Sequence, residues 1–534
     1  MHPCLCVDEI LRLVAHELAT SGERAAALAL ACCCKKFEDP VLDALWETQE
    51  QLLPFRKILV LNFWEGGICT VSTSTTHAFP SFTHLVWQST ERFWTTPQWA
   101  RFQKYARKMR RLVEYGSLGT LLLDVLWALQ LHAINEPLFP NLKTLELWPI
   151  TEEFIPFIPM FLSPRTTAIS IGFNESDLPV AALALMIATF PSLCPNLRDI
   201  TLRSLPRDPT ITAAVSGMLL AANRDTLQHF HVSSPLTEEA REVIHKLPDL
   251  RGLSVVIERD ASLPSLVLPN LVNLIVKYDH DGDGLRMFRG ATFGKLEAVT
   301  FHARSERIGN FLEAFERVAL VTSIQNTLST FYFRTSCWWT PNYHSLLPFT
   351  QLRHLVVGFS CDVACSSTVD DDVVTNLART MPRLEILRLG NDPCGNVHTG
   401  VTAKGLVVLA HHCPNLSTLR IHFQAAGLTT QPMASEVASN AGSAVLQRDC
   451  ALRILEVGKT PMVEELVSTV AMTLARIFPR MESVQYVGEN WYKVVDAIRH
   501  SRQIIDYTGK EHPFCAPRSG FNNTSPGATL EGVV

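Results

Sequence analysis

Apolar positions along this chain follow two alternating rhythms. The first is a short phrase whose last two apolar residues stand two apart, as in Leu142-Lys143-Thr144-Leu145-Glu146-Leu147 and Leu197-Arg198-Asp199-Ile200-Thr201-Leu202. That spacing puts both side chains on one face of a short β-strand, with the first Leu turning in just before it. Pro140-Asn141 and Pro195-Asn196 open these phrases. A proline there stops any preceding helix, because it lacks an N–H and fixes its own φ. Copies with Pro second return at Leu247–Val255, Leu268–Val276, Met381–Leu389 and Cys413–Ile421, and looser ones at Phe79–Trp87, Phe293–Phe301, Phe349–Val357 and Phe478–Tyr486. Degenerate copies end at Val232, Phe333 and Val457. The second rhythm has a 3.6-residue period and predicts helices over Ala181–Phe190, Thr237–Lys246, Phe311–Val321, Asp371–Arg379, Thr402–His411 and Val463–Ile477. Thr237, before Glu238-Glu239-Ala240, is the expected cap of its helix.

With weaker traces near Met109 and Ser163, roughly fifteen such units follow one another, about 21 to 36 residues apart. One unit cannot bury its apolar face alone, whereas stacked copies form a parallel sheet backed by helices. A doubly wound α/β domain also alternates strand and helix, but it has no need of a shared phrase. The chain resembles the leucine-rich-repeat family, in its irregular long-repeat variety. The resemblance implies an α/β fold: a curved solenoid over residues 76–490 with a parallel sheet on the concave face and helices on the convex face. Two features depart from the family. The Asn or Cys that usually follows the strand is mostly missing, and Gln424–Arg448 is too long for a normal unit.

The first fifty residues read differently. Ile10, Leu11, Val14 and Leu18 share one helical stripe, Ser21-Gly22 interrupts it, Arg24–Cys34 forms an apolar helix, and Val41–Trp46 a last short one. Three helices in so short a segment make a marginal core, so their apolar surface needs a partner or the repeat array to cover it. Glu9-Ile10-Leu11, Cys34-Lys35-Lys36-Phe37 and Leu45-Trp46 match the opening, middle and close of the F-box pattern, and residues 5–50 resemble that family as found in mushroom-forming fungi. Cys6-Val7 stands where the family has Leu-Pro. The resemblance implies docking on a Skp1-like adaptor, and through it a cullin–RING ligase, by Ile10, Leu11, Val14, Leu18, Leu30, Leu45 and Trp46. The alternative reading of the same helices is a cap that shields the first repeat from water. Residues 51–75 then serve as linker and entry to the first repeat. Residues 511–534, rich in Gly, Asn, Ser and Pro without a period, read as a disordered tail.

Composition narrows the function. With 47 Lys and Arg against 52 Asp and Glu, the net charge of −5 argues against a nucleic-acid binder that relies on bulk positive charge. No apolar stretch reaches the roughly 18 residues of a membrane span, and Met1–Cys6 has no signal-peptide pattern. The 14 cysteines lack any Cys-x-x-Cys pair, and Cys32-Cys33-Cys34 read as small buried hydrophobes. A cytoplasmic or nuclear location is expected. Asp279, Asp281, Asp283 and Gly284 match the start of a calcium loop, but Gly290 replaces its closing Glu. Gly458-Lys459-Thr460 has Arg453 where a phosphate loop needs its first glycine. Asp370-Asp371-Asp372 reads as a capped helix start. No catalytic set, metal site or cofactor site is expected.

What remains is binding. Strand positions between and after the inward pair face the open side of the sheet: Thr300, His302, Tyr332, Arg334, Arg388, Arg420 and His422, and earlier Arg203, His229 and His231. With strands about 4.8 Å apart, His302, Tyr332, Arg334, Arg388, Arg420 and His422 would form a cationic and aromatic stripe for an acidic or phosphorylated peptide, or simply solvate the sheet. Trp338 and Trp339 are a second candidate contact. The expected function is that of a substrate receptor in an SCF-type ubiquitin ligase, binding its target through the repeats. The alternative is a non-catalytic repeat scaffold.

Overall fold

Among the described residues, each leucine phrase becomes a strand in the computed structural model of the chain. The structure describes residues 7–507 except 53, 56–95, most of 116–135, 175–177, 223–225, 258–266, 279–290, 304–323 apart from Phe315, 337–342, 361–368, 391–399, 429–449, 459, 461 and 487–489. The Phe79–Trp87 phrase, nearly all of the Phe311–Val321 helix, Asp279–Gly284, Trp338, Trp339, most of Gln424–Arg448 and residues 511–534 therefore lie outside the described residues.

Among the described residues, 15 strands from Thr48–Gln49 to Ser483–Tyr486 form one parallel sheet. Each strand pairs with its neighbours in chain order, apart from a short separate pair, Val267–Leu268 with Thr292–Phe293. The inward positions stay in register across it. Leu112, Leu145, Ile169, Ile200, Phe230, Leu253 and Leu274 continue through Val299, Phe331, Leu355, Leu387, Leu419 and Leu455. None of that row is more than 1% exposed.

A backbone device repeats beside it. The carbonyl two residues before each such position accepts from two successive N–H groups of the next unit: Arg110 from Lys143 and Thr144, Lys143 from Thr167 and Ala168, and so on to Arg453, which accepts from Glu482 and Ser483. Equivalent carbonyls are as close as 21 residues (Arg251 to Val272) and as far as 36 (Ser417 to Arg453). Units of unequal length thus meet at the same seam, and the variation is confined to what lies between strands. The Asn of Pro-Asn-Leu adds a second stitch: Asn141 Nδ2 donates to Arg107 O at 2.7 Å, Asn196 to Pro164 O at 3.3 Å and Asn270 to Pro248 O at 2.9 Å.

Helices back the buried face. Val180–Leu193, Glu238–Ile244, Asp371–Thr380, Ala403–His412 and Val467–Ile477 occupy the segments that the 3.6-residue period predicts. Thr237 accepts from Ala240 N as the cap of its helix, and Asp370 accepts from Val373 N at 2.8 Å. Pro209–Ala221 is a further helix, not among those predicted, that buries Ile211, Val215, Met218 and Leu219 on one stripe; its start was readable in Asp208 as cap and Pro209 at the first position. One apolar core runs from Leu52 to Ile498.

The first three helices are α1 (Asp8–Thr20), α2 (Arg24–Cys33) and α3 (Lys35–Glu47). α3 is longer than the sequence pattern predicts and passes through Pro40. Phe37 and Val41, one turn apart and both buried, hold that helix across the missing N–H. Cys32 and Cys33 are exposed, a correction to their expected burial. α2 is packed along a single inner stripe, in which only Ala27 is fully covered. α3 leads into the edge strand Thr48–Gln49, which pairs with Arg111–Leu112 and joins the helices to the sheet.

Candidate partner-binding surfaces

The N-terminal helices share a small core of Ala15, Ala27 and Val41, with Leu18, Leu30, Ala31, Ala44 and Leu45 half-buried around it. Leu11 is fully buried, whereas Ile10 and Val14 of the same stripe are exposed, together with Val7, Leu13 and Leu28. Trp46 points away from that face. It stacks on Tyr105 with centroids 4.6 Å apart and meets Phe55 edge-on at 5.0 Å, so it belongs to the junction with the sheet. Ion pairs reinforce that junction: Lys104 reaches Glu38 at 3.9 Å and Asp39 at 3.8 Å, and Lys108 reaches Asp39 at 3.7 Å and bonds Asp43. Of the seven residues expected to dock the adaptor, Ile10 and Val14 lie on the open face, Leu18, Leu30 and Leu45 are half-buried, and Leu11 and Trp46 face inward. Phase identified the helix but not its inner side. Leu13 and Leu28 went unnoticed because helical period alone cannot say which of two apolar stripes is covered.

On the sheet, the positions between the inward pairs form a second, mostly polar face. Thr300 pairs in register with Tyr332, and His302 with Arg334; the His302 and Tyr332 rings are 5.8 Å apart. Arg388 pairs with Arg420, and Arg420 with Glu456. The expected stripe is not continuous, since Val356 stands between Tyr332 and Arg388. Nor is it wholly cationic. Arg388 Nη2 donates to Glu456 Oε1 at 2.6 Å, and Arg420 Nε donates to Glu456 Oε2. Glu456 is only 3% exposed. Both guanidiniums are thus gathered on one buried carboxylate, which the phase of Leu455-Glu456-Val457 would have placed on this face. His422 is buried, with Nδ1 3.5 Å from Thr460 Oγ1, and its ring lies beside Gly390.

Toward the amino-terminal end the face carries a histidine pair and an aromatic pair. His229 Nδ1 lies 2.5 Å from Asp199 Oδ1, and its ring stacks at 6.2 Å on His231. Burial, with the neighbouring His229 and Arg203 charges, pushes the His231 pKa down to about 4. Gly252 on the next strand makes room for both rings, because a Cβ there would lie 2.5 Å from His229 Cδ2 and 2.9 Å from His231 Nε2. Trp148 lies over Gly172 in the same way and, like its register partner Tyr115, is exposed. Tyr115 Oη donates to Glu146, which also takes a fork from Arg111.

Among the described residues no cluster of His, Cys, Asp or Glu could hold a metal ion, and no helix is long and apolar enough to cross a membrane. Cys413 and Cys450 are buried in apolar surroundings that push their thiol pKa values up, Cys413 to about 12. They are poor nucleophiles for that reason. Asp370 and Asp371 are used up in capping and in bonds to the next helix. Neither a family model nor a curated protein matches the chain.

Proposed function

We propose that this chain is the substrate-recognition subunit of an SCF-type (Skp1–cullin–F-box) E3 ubiquitin ligase. The N-terminal helices dock on the Skp1-like adaptor, and the repeats hold a target protein near the ubiquitin-charged partner, so that the contribution to the reaction is effective concentration. The observation that carries this reading is the exposed apolar face of Val7, Ile10, Leu13, Val14 and Leu28 on helices whose own core is small. We read the sheet as a leucine-rich-repeat solenoid. Strictly sequential strand order, one unbroken inward row and the repeated carbonyl seam support that reading.

Adaptor capture from purified components tests it. Ile10→Asp combined with Val14→Asp should lower capture more than about tenfold at an unchanged melting temperature, since both side chains are exposed and two desolvated apolar anchors are lost. Equal capture by the double variant would reject the docking role. Leu11 is unsuited to this test because its burial confounds docking with folding.

The stacking of Trp46 on Tyr105 and the lysine pairs to α3 favour a second reading, in which the helices only cap the sheet of a scaffold. Under it the unaltered chain captures no adaptor at all.

A further inference from the structure

Two aromatic rings stand open on the polar face at its amino-terminal end. Tyr115 is 61% exposed and Trp148, its register partner, 41%. Among the described residues Trp148 is the one exposed tryptophan. Both rings are held in place. Tyr115 Oη donates to Glu146 Oε2 at 3.2 Å, and the Arg111 fork takes Glu146 Oε1. Trp148 lies over Gly172, where a Cβ would stand 2.8 Å from Nε1 and 2.9 Å from Cγ. Large rings already held offer contact area at little entropic cost, which is why Trp and Tyr anchor interfaces.

We propose that Tyr115 and Trp148 form the docking site for an uncharged, proline-rich segment of the target, bound as a polyproline II strand. This rests on the sheet's polar face being the surface that holds the target, and it is independent of adaptor docking. Two properties select that occupant.

The first is charge. Arg111 is paired with Glu146, and His229 with Asp199. Ser170 and Thr201, small and uncharged, continue the row from Glu146 to His231. Burial keeps His231 neutral at neutral pH. Arg203, the register partner of Gly172, has a contact of its own. A charged segment would therefore lie across ion pairs that are already closed, giving up its water for no new partner.

The second is hydrogen bonding. The Trp148 indole N–H makes no hydrogen bond among the described residues, whereas both oxygens of Glu146 already accept. The site has a donor to give. A proline-rich backbone keeps its carbonyls and lacks most of its N–H groups, and a polyproline II strand uses none of those carbonyls internally. Its pyrrolidine rings pack on aromatic faces, the mode by which aromatic-lined grooves read proline-rich segments. Two open ring faces beside one free donor are the complement of that strand.

Isothermal titration of the full chain tests this with an end-blocked decaproline peptide, beside Gly/Ser, Glu-rich and Lys-rich peptides of equal length. Decaproline should bind with a Kd below about 1 mM, and the other three should not. Trp148→Ala should weaken binding about tenfold or more, and Tyr115→Ala about threefold or more. Trp148→Phe keeps a ring and loses the N–H, so it should cost a few-fold. Gly172→Ala, which drives the indole from its seat, should also weaken binding. Tyr492→Ala removes an exposed ring near the other end of the chain and should change nothing.

Melting curves recorded in parallel establish that each variant is folded. If Trp148→Ala melts early, Trp148→Phe must still weaken binding. Failure of decaproline to bind, or binding unmoved by both Trp148 variants, overturns the proposal. So does equal or tighter binding of the Gly/Ser, Glu-rich or Lys-rich peptide, which would mark an occupant chosen on other grounds. Adaptor capture that survives such a failure leaves the ligase reading intact and rejects this site alone.

Discussion

His231 shows how a neighbour's missing side chain sets a residue's chemistry. Its place on the polar face is plain from phase, but its burial depends on Gly252, one strand over, which lets two histidine rings lie flat. With its pKa pushed from 6.5 to about 4 in the folded chain, the ring stays neutral where the unfolded chain takes up a proton. The unfolded state therefore binds more protons below its own pKa, and stability is lost as pH falls from about 6.5 toward about 4, then levels off. Urea midpoints across that window should drop in the unaltered protein and drop less steeply in His231→Gln. Superimposable curves for the two proteins would show that the ring is not the source. Glu456 makes the same point for charge. Its alternation with Leu455 and Val457 was readable, whereas its capture of two arginines required knowing which strands are adjacent.

At the level of elements, the helices are joined by side chains that serve two units at once. Asp370 caps the Asp371–Thr380 helix, and Asp371 reaches the next one, accepting from Thr402 N at 2.9 Å, Thr402 Oγ1 at 2.6 Å and Gly405 N at 3.0 Å. Asp371→Ala removes a carboxylate from three donors at the start of the Ala403–His412 helix, so it should cost about 1.5–3 kcal/mol, read as a lower urea midpoint at an unchanged m-value. A loss below about 0.5 kcal/mol would mean that water replaces the carboxylate at that helix start. Periodicity found most of these helices because they bury one stripe. It missed Pro209–Ala221, whose buried stripe is Ile211, Val215, Met218 and Leu219, and it began α3 too late, after Pro40, where packing of Phe37 and Val41 outweighs the local signal.

Over the whole molecule, each strand bonds only its neighbours in chain order, so damage should stay local. Leu387 is fully buried in the inward row between Leu355 and Leu419. Leu387→Ala should cost about 2–5 kcal/mol. In hydrogen exchange, protection should fall in the strands His354–Ser360, Ile386–Leu389 and Thr418–Ile421 while Ala168–Phe173 and Asp199–Arg203 keep theirs. Uniform loss across the sheet would show instead that it unfolds as a single cooperative body.

The sequence alone determined what depends on near neighbours in the chain. A spacing of two put leucines on one side of each strand, proline ended the helices, and recurrence of the phrase implied parallel stacking. Tertiary structure decided what depends on the neighbour across the seam: that Leu11 and Trp46 turn inward while Leu13 and Leu28 stay out, that Glu456 gathers two arginines, and that glycines at 172, 252 and 390 open space for rings from other strands. The reason is geometric. Side-chain direction along a strand or helix follows from local covalent geometry, whereas burial and pairing are properties of two segments that no local pattern brings together.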